Sequence, residues 1–111
     1  MGEEAARAGR VLFEDVKPYD APARLADLAG PAVGVLHLSI TVYWGPPRVF
    51  DLSHPGHVRS AYQAIVRDGR VVDQVALVNA ELLVKVWPTL LLPVRVRGLW
   101  EDRFPELAAA R

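Results

Sequence analysis

The clearest pattern of apolar and polar residues along the chain is a strict alternation over residues 35–44. The apolar positions of this run are Leu36, Leu38, Ile40, Val42 and Trp44. A period of two predicts a half-buried β-strand from Val35 to Trp44, with one face on the core. Gly45-Pro46-Pro47 predicts a turn, and the stretch from Arg48 to Leu52 predicts a shorter returning strand. The two strands should therefore form a β-hairpin.

After Ser53 the spacing of apolar residues changes from two to about 3.6, which predicts a helical second half. The first helix is expected to begin at Ser53 as N-cap and to end at Gly69 as a left-handed cap. Further helices are predicted over Val71 to Val78, from Asn79 to Trp87, and from Pro93 to Phe104. A short strand over Val11 to Val16 and a short helix over Ala21 to Leu28 are predicted before the hairpin. The sequence thus predicts an α+β fold, an N-terminal β-hairpin or small antiparallel sheet followed by a bundle of three to four short helices.

Length and composition indicate one folded domain. The chain has 111 residues, of which 51% are hydrophobic and 23% are charged, the balance of ordinary globular proteins. Residues 1–10 are polar and are expected to form an N-terminal arm, with a single α+β domain over residues 11–111. The three tryptophans, Trp44, Trp87 and Trp100, are expected in the core, because a small domain needs the large area that they bury.

Net charge and cysteine content limit the classes of partner and the cellular compartment that we expect for the chain. The formal net charge is +0 and the pI is about 6.8, so no global positive field draws the chain to nucleic acid or to an anionic membrane. Cysteine is absent, which excludes disulfides and favours a reducing compartment. The N-terminus has no secretory pattern, and no apolar run approaches the roughly 20 residues of a membrane span. We therefore expect a cytoplasmic protein without a membrane partner.

No set of residues converges on a catalytic or metal centre. His54 and His57 are three positions apart with Asp51 nearby, a spacing that can direct two imidazoles at one metal. No third ligand completes such a shell, and Ser53 is better explained as an N-cap than as the nucleophile of a triad. We therefore expect a non-enzymatic protein with no catalytic residue, metal or cofactor. An enzyme organised around Asp51, His54 and His57 is the weaker hypothesis.

The hairpin offers the candidate partner-binding surface. Two or three short strands leave an unpaired edge that can accept a strand of another chain or of a second copy. The polar face of the predicted strand and its return contribute the candidate residues, which are His37, Ser39, Thr41, Tyr43 and Arg48. The sequence thus predicts a protein-interaction module that binds a protein partner or forms a homo-oligomer.

A small DNA-binding transcriptional regulator is the alternative. Helices around residues 71–87 can form a helix-turn-helix with Asn79 in the turn, and the candidate DNA contacts are Lys85, Arg95 and Arg97. The predicted recognition helix has few side chains that could reach base edges, and acidic residues accompany the arginines. DNA is therefore not the favoured partner.

Several short motifs, most of them in the C-terminal half, carry a resemblance to a known group of proteins. They are Phe50-Asp51-Leu52, Ala61-Tyr62-Gln63-Ala64, Leu82-Leu83, Trp87-Pro88, Leu92-Pro93 and Trp100-Glu101-Asp102-Arg103-Phe104-Pro105. On these motifs the chain resembles small actinobacterial proteins that are encoded beside nucleotidyltransferase-type toxins. The matching positions are mostly core and helix-boundary residues, which specify a fold more than an activity. The resemblance implies an antitoxin-like or accessory protein that acts by binding.

Overall fold

A computed structural model describes residues 19–46 and 49–111. The predicted arm over residues 1–10, the predicted strand over 11–16 and Arg48 lie outside the described residues. The described elements are β1 (Val35–His37), β2 (Val49–Asp51), α1 (Pro55–Asp68), α2 (Val71–Leu77), α3 (Ala80–Val86), α4 (Val94–Arg103) and α5 (Pro105–Ala110). A two-stranded antiparallel sheet followed by helices confirms the predicted α+β fold. Within the described ranges, no helix is long and apolar enough to cross a membrane.

The first strand is much shorter than the alternation predicts. β1 is three residues long and ends at His37, because the chain then folds into a turn. In that turn the carbonyl of Ser39 accepts hydrogen bonds from the amides of Val42 (3.0 Å) and Tyr43 (2.9 Å). The prediction of a strand as far as Trp44 is therefore wrong, and Trp44, expected in the core, is 84% exposed.

The register of the hairpin places one residue of each strand in the core. Leu36 and Phe50 are directly opposite each other and both are buried. The residues on either side of them face solvent, and α1 packs against β2. The sheet is therefore covered on one face and open on the other.

The ends of α1 differ from the prediction in two details. The N-cap position is His54, and the Ser53 hydroxyl instead donates to the carboxylate of Asp51 (2.7 Å). Gly69 ends the helix with a φ of −75°, so the predicted left-handed cap is wrong. Glycine is needed there for another reason, since a Cβ at Gly69 would lie 2.6 Å from the carbonyl oxygen of Ile65.

Two short helices meet at Asn79, where the predicted N-cap is confirmed. The side-chain oxygen of Asn79 accepts a hydrogen bond from the amide of Leu82 (3.0 Å). The amide of Asn79 donates to the hydroxyl of Tyr62 on α1 (3.0 Å). Burial raises the pKa of the Tyr62 hydroxyl above its ordinary value, although the bond from Asn79 opposes the shift. The hydroxyl therefore stays neutral and joins α1 to the start of α3.

The segment that precedes the hairpin closes over the turn between α2 and α3. The amide of Ala29 donates to the carbonyl of Val75 (2.8 Å) and that of Gly30 to the carbonyl of Val78 (2.9 Å). Ala29 also forms an isolated antiparallel bridge with Asn79. We call this set of contacts, made by Ala29 and Gly30 with Val75, Val78 and Asn79, the clasp. The helix predicted over residues 21–28 is reduced to one 3-10 turn at Leu25–Asp27.

Replacing Gly30 by alanine is expected to lower the free energy of unfolding by about 1–3 kcal/mol. The new Cβ would lie 2.2 Å from the carbonyl carbon of Leu77, and that backbone cannot move without opening the clasp. Gly98→Ala is the matched control, because a Cβ at Gly98 meets nothing within 4 Å. Gly98 lies inside α4, so this change should stabilise the protein by up to about 1 kcal/mol.

Urea unfolding followed by circular dichroism distinguishes the two glycine variants. Gly30→Ala should unfold at a lower urea concentration than the wild type, and Gly98→Ala at an equal or higher one. A Gly30→Ala protein with wild-type stability would contradict the close backbone approach at the clasp.

Candidate protein-interaction surface

The outer edges of the two strands can be located from one hydrogen bond of the hairpin. The amide of Leu52 donates to the carbonyl of Gly34 (2.8 Å), the residue directly before β1, which has a φ of 97°. Residues that bond to the partner strand alternate with residues that point outward in an antiparallel pair. The residues at both ends of β1 and of β2 therefore direct their N–H and C=O groups away from the hairpin.

The start of α1 closes the Asp51 end of the outer edge of β2. The outward amide of Asp51 donates to Nδ1 of His57 (3.0 Å), and its carbonyl accepts from the amide of His54 (3.0 Å). The two imidazoles stack, with ring centroids 4.3 Å apart and planes inclined by 26°. No further strand can pair with Asp51 while these groups occupy its backbone.

Among the described residues, the outer edge of β1 is open. Within residues 19–46 and 49–111, no residue pairs with the outward N–H and C=O groups of Val35 and His37. Both side chains are exposed, and two apolar side chains beyond the ends of the strand, Val33 and Ile40, are 81% and 49% exposed. An edge with unpaired backbone groups and apolar flanks is a template for another strand.

The sequence around β1 lacks the charges that usually protect such an edge. From Leu28 to Pro47 the chain has no Asp, Glu, Lys or Arg, although 23% of all residues are charged. Soluble proteins commonly place lysine or another charged residue on an exposed edge strand to prevent pairing with other chains. The edge of β1 carries no such protection.

A cleft with an exposed tryptophan lies beyond the end of β1. Its volume is about 530 Å³, and it is lined by Thr41, Val42, Tyr43, Trp44, Gly45, Arg67 and Asp68. The ring of Tyr43 packs edge-on against Phe50, with centroids 5.4 Å apart, and is held in place. Trp44 is exposed beside it. Tryptophan is the residue type that most often anchors a protein interface.

The turn after β1 divides the residues that the sequence predicts for partner binding. His37 is the last residue of β1, whereas Ser39 and Thr41 lie in the turn, with their hydroxyl oxygens 2.7 Å apart. Tyr43 lines the cleft, and Arg48 lies outside the described residues. These side chains do not form the single polar strand face that the alternation predicts.

The sequence interpretation missed Trp44 as a surface residue. The alternation assigns it to the core, yet Gly45 and Pro46 follow it directly and end any regular strand. This turn signal indicates that Trp44 lies at the margin of the sheet.

The group of Asp51, His54 and His57 fixes the turn between β2 and α1. Because Nδ1 of His57 accepts an amide proton, the neutral ring carries its own proton on Nε2 and has no free lone pair. Hydrogen bonds from the Ser53 hydroxyl and then its amide hold the pKa of Asp51 below its ordinary value. Over the described part of the chain, no group of three or more His, Cys, Asp or Glu side chains could hold a metal ion.

The three candidate DNA contacts have different surroundings. Lys85 on α3 and Arg95 on α4 are exposed. The side chain of Arg97 is only 18% exposed, and its guanidinium donates to the carbonyls of Trp87 (3.4 Å) and Leu90. Arg97 thus stabilises the chain between α3 and α4. Its guanidinium is therefore poorly placed to contact a phosphate.

In the described residues, the fold and this surface define a small α+β domain whose β2 edge is closed at Asp51 and whose β1 edge is open. The open edge has exposed apolar flanks, and an aromatic cleft lies past its end. No protein-family model, curated protein or solved structure matches the chain.

Proposed function

We propose that this chain is a non-enzymatic protein-interaction module that adds an extended strand of another polypeptide to the outer edge of β1. The observation that carries the proposal is the difference between the edge of β1 and the Asp51 end of the edge of β2. His54 and His57 occupy the backbone of Asp51 on β2, whereas the corresponding groups of β1 have no partner in the described ranges. Strand addition gives affinity through main-chain hydrogen bonds and specificity through the side chains beside them.

The cleft at Trp44 supports the same function. A strand that pairs with β1 and continues past His37 reaches Ile40 and then the cleft, so an apolar side chain of that strand can pack on Trp44. Interfaces derive most of their affinity from a few such aromatic contacts. The edge would then set the direction of the bound strand, and Trp44 would anchor its end.

The resemblance to proteins encoded beside nucleotidyltransferase-type toxins supports an antitoxin-like or accessory role. A toxin encoded next to this chain is then the first partner to test. The absence of cysteine supports the reducing cytoplasm as the compartment in which the two would meet.

DNA binding has less support as a function. On α3, Glu81 and Lys85 are exposed while Leu83 is buried, so the helix presents one acid and one base to a groove. The clasp also covers the turn between α2 and α3. A sequence-reading helix needs several donors on its exposed face, and α3 offers few.

His37→Pro is expected to weaken partner binding at least about fivefold, because it removes an outward N–H from the edge and a lost buried hydrogen bond costs about 1–3 kcal/mol. Proline is tolerated in an edge strand whose N–H faces solvent, so the isolated domain should still fold. His37→Ala is the matched control, since it removes the imidazole and keeps the N–H. Co-expression with the proteins encoded by the adjacent genes, followed by affinity capture and titration, measures the effect.

Wild type and His37→Ala should capture the same partner, and His37→Pro should lose it while keeping a native circular dichroism spectrum. Equal capture by all three proteins would show that no strand is added at β1 and would contradict the proposed function.

A further inference from the structure

We infer that the strand added to β1 is β1 of a second copy of this chain, antiparallel to the first about a two-fold axis at Leu36. This inference rests on the proposed function, because it names the polypeptide that the open edge accepts. It follows from the hydrogen-bonding register, from the flanking side chains and from the charge of the segment.

The unpaired groups of the edge are complementary to themselves. They belong to Val35 and His37, which lie symmetrically on either side of Leu36. In an antiparallel pair about an axis at Leu36, Val35 of one copy lies opposite His37 of the other, and both positions are of the hydrogen-bonded kind. Every outward N–H then meets an outward C=O. Any other register leaves some of these groups without a partner.

The same register brings the exposed apolar flanks together. Val33 lies before β1 and is 81% exposed, and Ile40 lies after β1 and is 49% exposed. In the antiparallel arrangement, the segment that enters β1 after Val33 in one copy lies at the same end of the ladder as the segment that leaves β1 before Ile40 in the other. The two-fold axis repeats this arrangement at the opposite end. Burial of these side chains removes apolar surface from water at both ends of the ladder.

The charge of the segment favours its own copy over a charged foreign strand. Two copies meet through a stretch from Leu28 to Pro47 that has no Asp, Glu, Lys or Arg, so no like charges oppose each other across the interface. An acidic or basic partner strand would find no opposite charge in this segment. A strand with the same uncharged composition can pair there without burying an unpaired charge.

The resulting dimer should be reversible. A ladder built on two three-residue strands is short, and interfaces that bury less than about 1,200 Å² in total belong to the weak or transient class. Such a dimer can dissociate when a stronger partner competes for the edge.

Cysteine pairs test the register directly, because the chain has no cysteine of its own. In the inferred pair, Val35 and His37 of different copies are about 5.5 Å apart between Cα atoms, within the usual disulfide range of about 4.4–6.8 Å. A mixture of Val35→Cys and His37→Cys chains should therefore form a disulfide-linked dimer under mild oxidation. Either variant alone places its thiols diagonally across the axis, and should cross-link at least about tenfold less.

Sedimentation equilibrium of the purified full chain gives the second measurement. Wild type and His37→Ala should form dimers as the concentration rises, and His37→Pro should stay monomeric over the same range. A strictly monomeric wild type, or cross-linking of each cysteine variant alone as efficient as in the mixture, would overturn the inference. The proposed function would survive that result if a foreign partner were still captured in a manner that depends on the N–H of His37.

Discussion

Trp87→Ala is expected to lower the free energy of unfolding by about 3–5 kcal/mol, which is a large part of the about 5–15 kcal/mol that holds a domain folded. Trp87 is 0% exposed and packs on Trp100, with ring centroids 6.2 Å apart. Its indole N–H donates to the carboxylate of Glu101 (2.8 Å). Alanine would leave a cavity between the helices and remove a donor from a nearly buried carboxylate.

Trp44→Ala is the control for this substitution. It removes the same side chain from a position that is 84% exposed, so the free energy of unfolding should change by no more than about 0.5 kcal/mol. Urea unfolding monitored by circular dichroism gives both values on one scale. Similar losses of unfolding free energy for the two variants would mean that the Trp44 side chain is packed in solution. That result would contradict the exposed position of Trp44 at the cleft.

Glu101→Ala is expected to lower the free energy of unfolding by about 2–4 kcal/mol, since removing one partner of a buried charge network leaves the others unpaired. Glu101 is only 11% exposed, and its carboxylate lies 2.7 Å from Nε of Arg111 and 3.8 Å from Arg97. It also accepts the indole N–H of Trp87. The variant leaves the indole N–H of Trp87 without its acceptor. It also removes the negative charge beside the largely buried cation of Arg97, which keeps its hydrogen bonds to the carbonyls of Trp87 and Leu90.

Arg111→Ala separates the buried part of this network from its exposed part. Arg111 is 52% exposed, and ion pairs with an exposed partner contribute at most about 1 kcal/mol. Its loss should therefore cost much less than the loss of Glu101. Urea midpoints for the two variants decide the matter, and equal midpoints would show that the charge network does not depend on the buried contacts of Glu101.

The helical half of the fold was predictable from local sequence. A helix needs only neighbours at a spacing of about 3.6 residues and a side chain that can cap its first turn. Asn79 has that side chain and caps α3 as expected. The left-handed cap at Gly69 was wrong because a close approach to Ile65, rather than a positive φ, requires glycine there, and such a contact has no local pattern.

The strand was overestimated because alternation does not distinguish a strand from a strand that runs into a turn. The carbonyl of Ser39 bonds locally to Val42 and Tyr43 instead of to a second strand, and this choice depends on how much partner strand is within reach. Within the described ranges β2 is three residues long, Val49–Asp51, and β1 pairs with all three.

Part of the candidate surface could be predicted from the sequence. An open edge in a small sheet was expected, and the uncharged stretch from Leu28 to Pro47 can be read directly. Which edge is open could not be predicted, because it depends on the imidazole of His57 reaching the amide of Asp51. That contact joins two elements across a turn and leaves no periodic signal.

The clasp has a consequence for the order of folding. Asn79 and Gly30, which it joins, are 49 residues apart, so the hairpin, α1 and α2 lie inside a ring of polypeptide that these contacts close. Closing a loop of this length costs about 3–4 kcal/mol of chain entropy, whereas the helices form between near neighbours. Closure of the ring therefore belongs to the slow, late part of folding, after the helices have supplied a surface on which its two ends can meet.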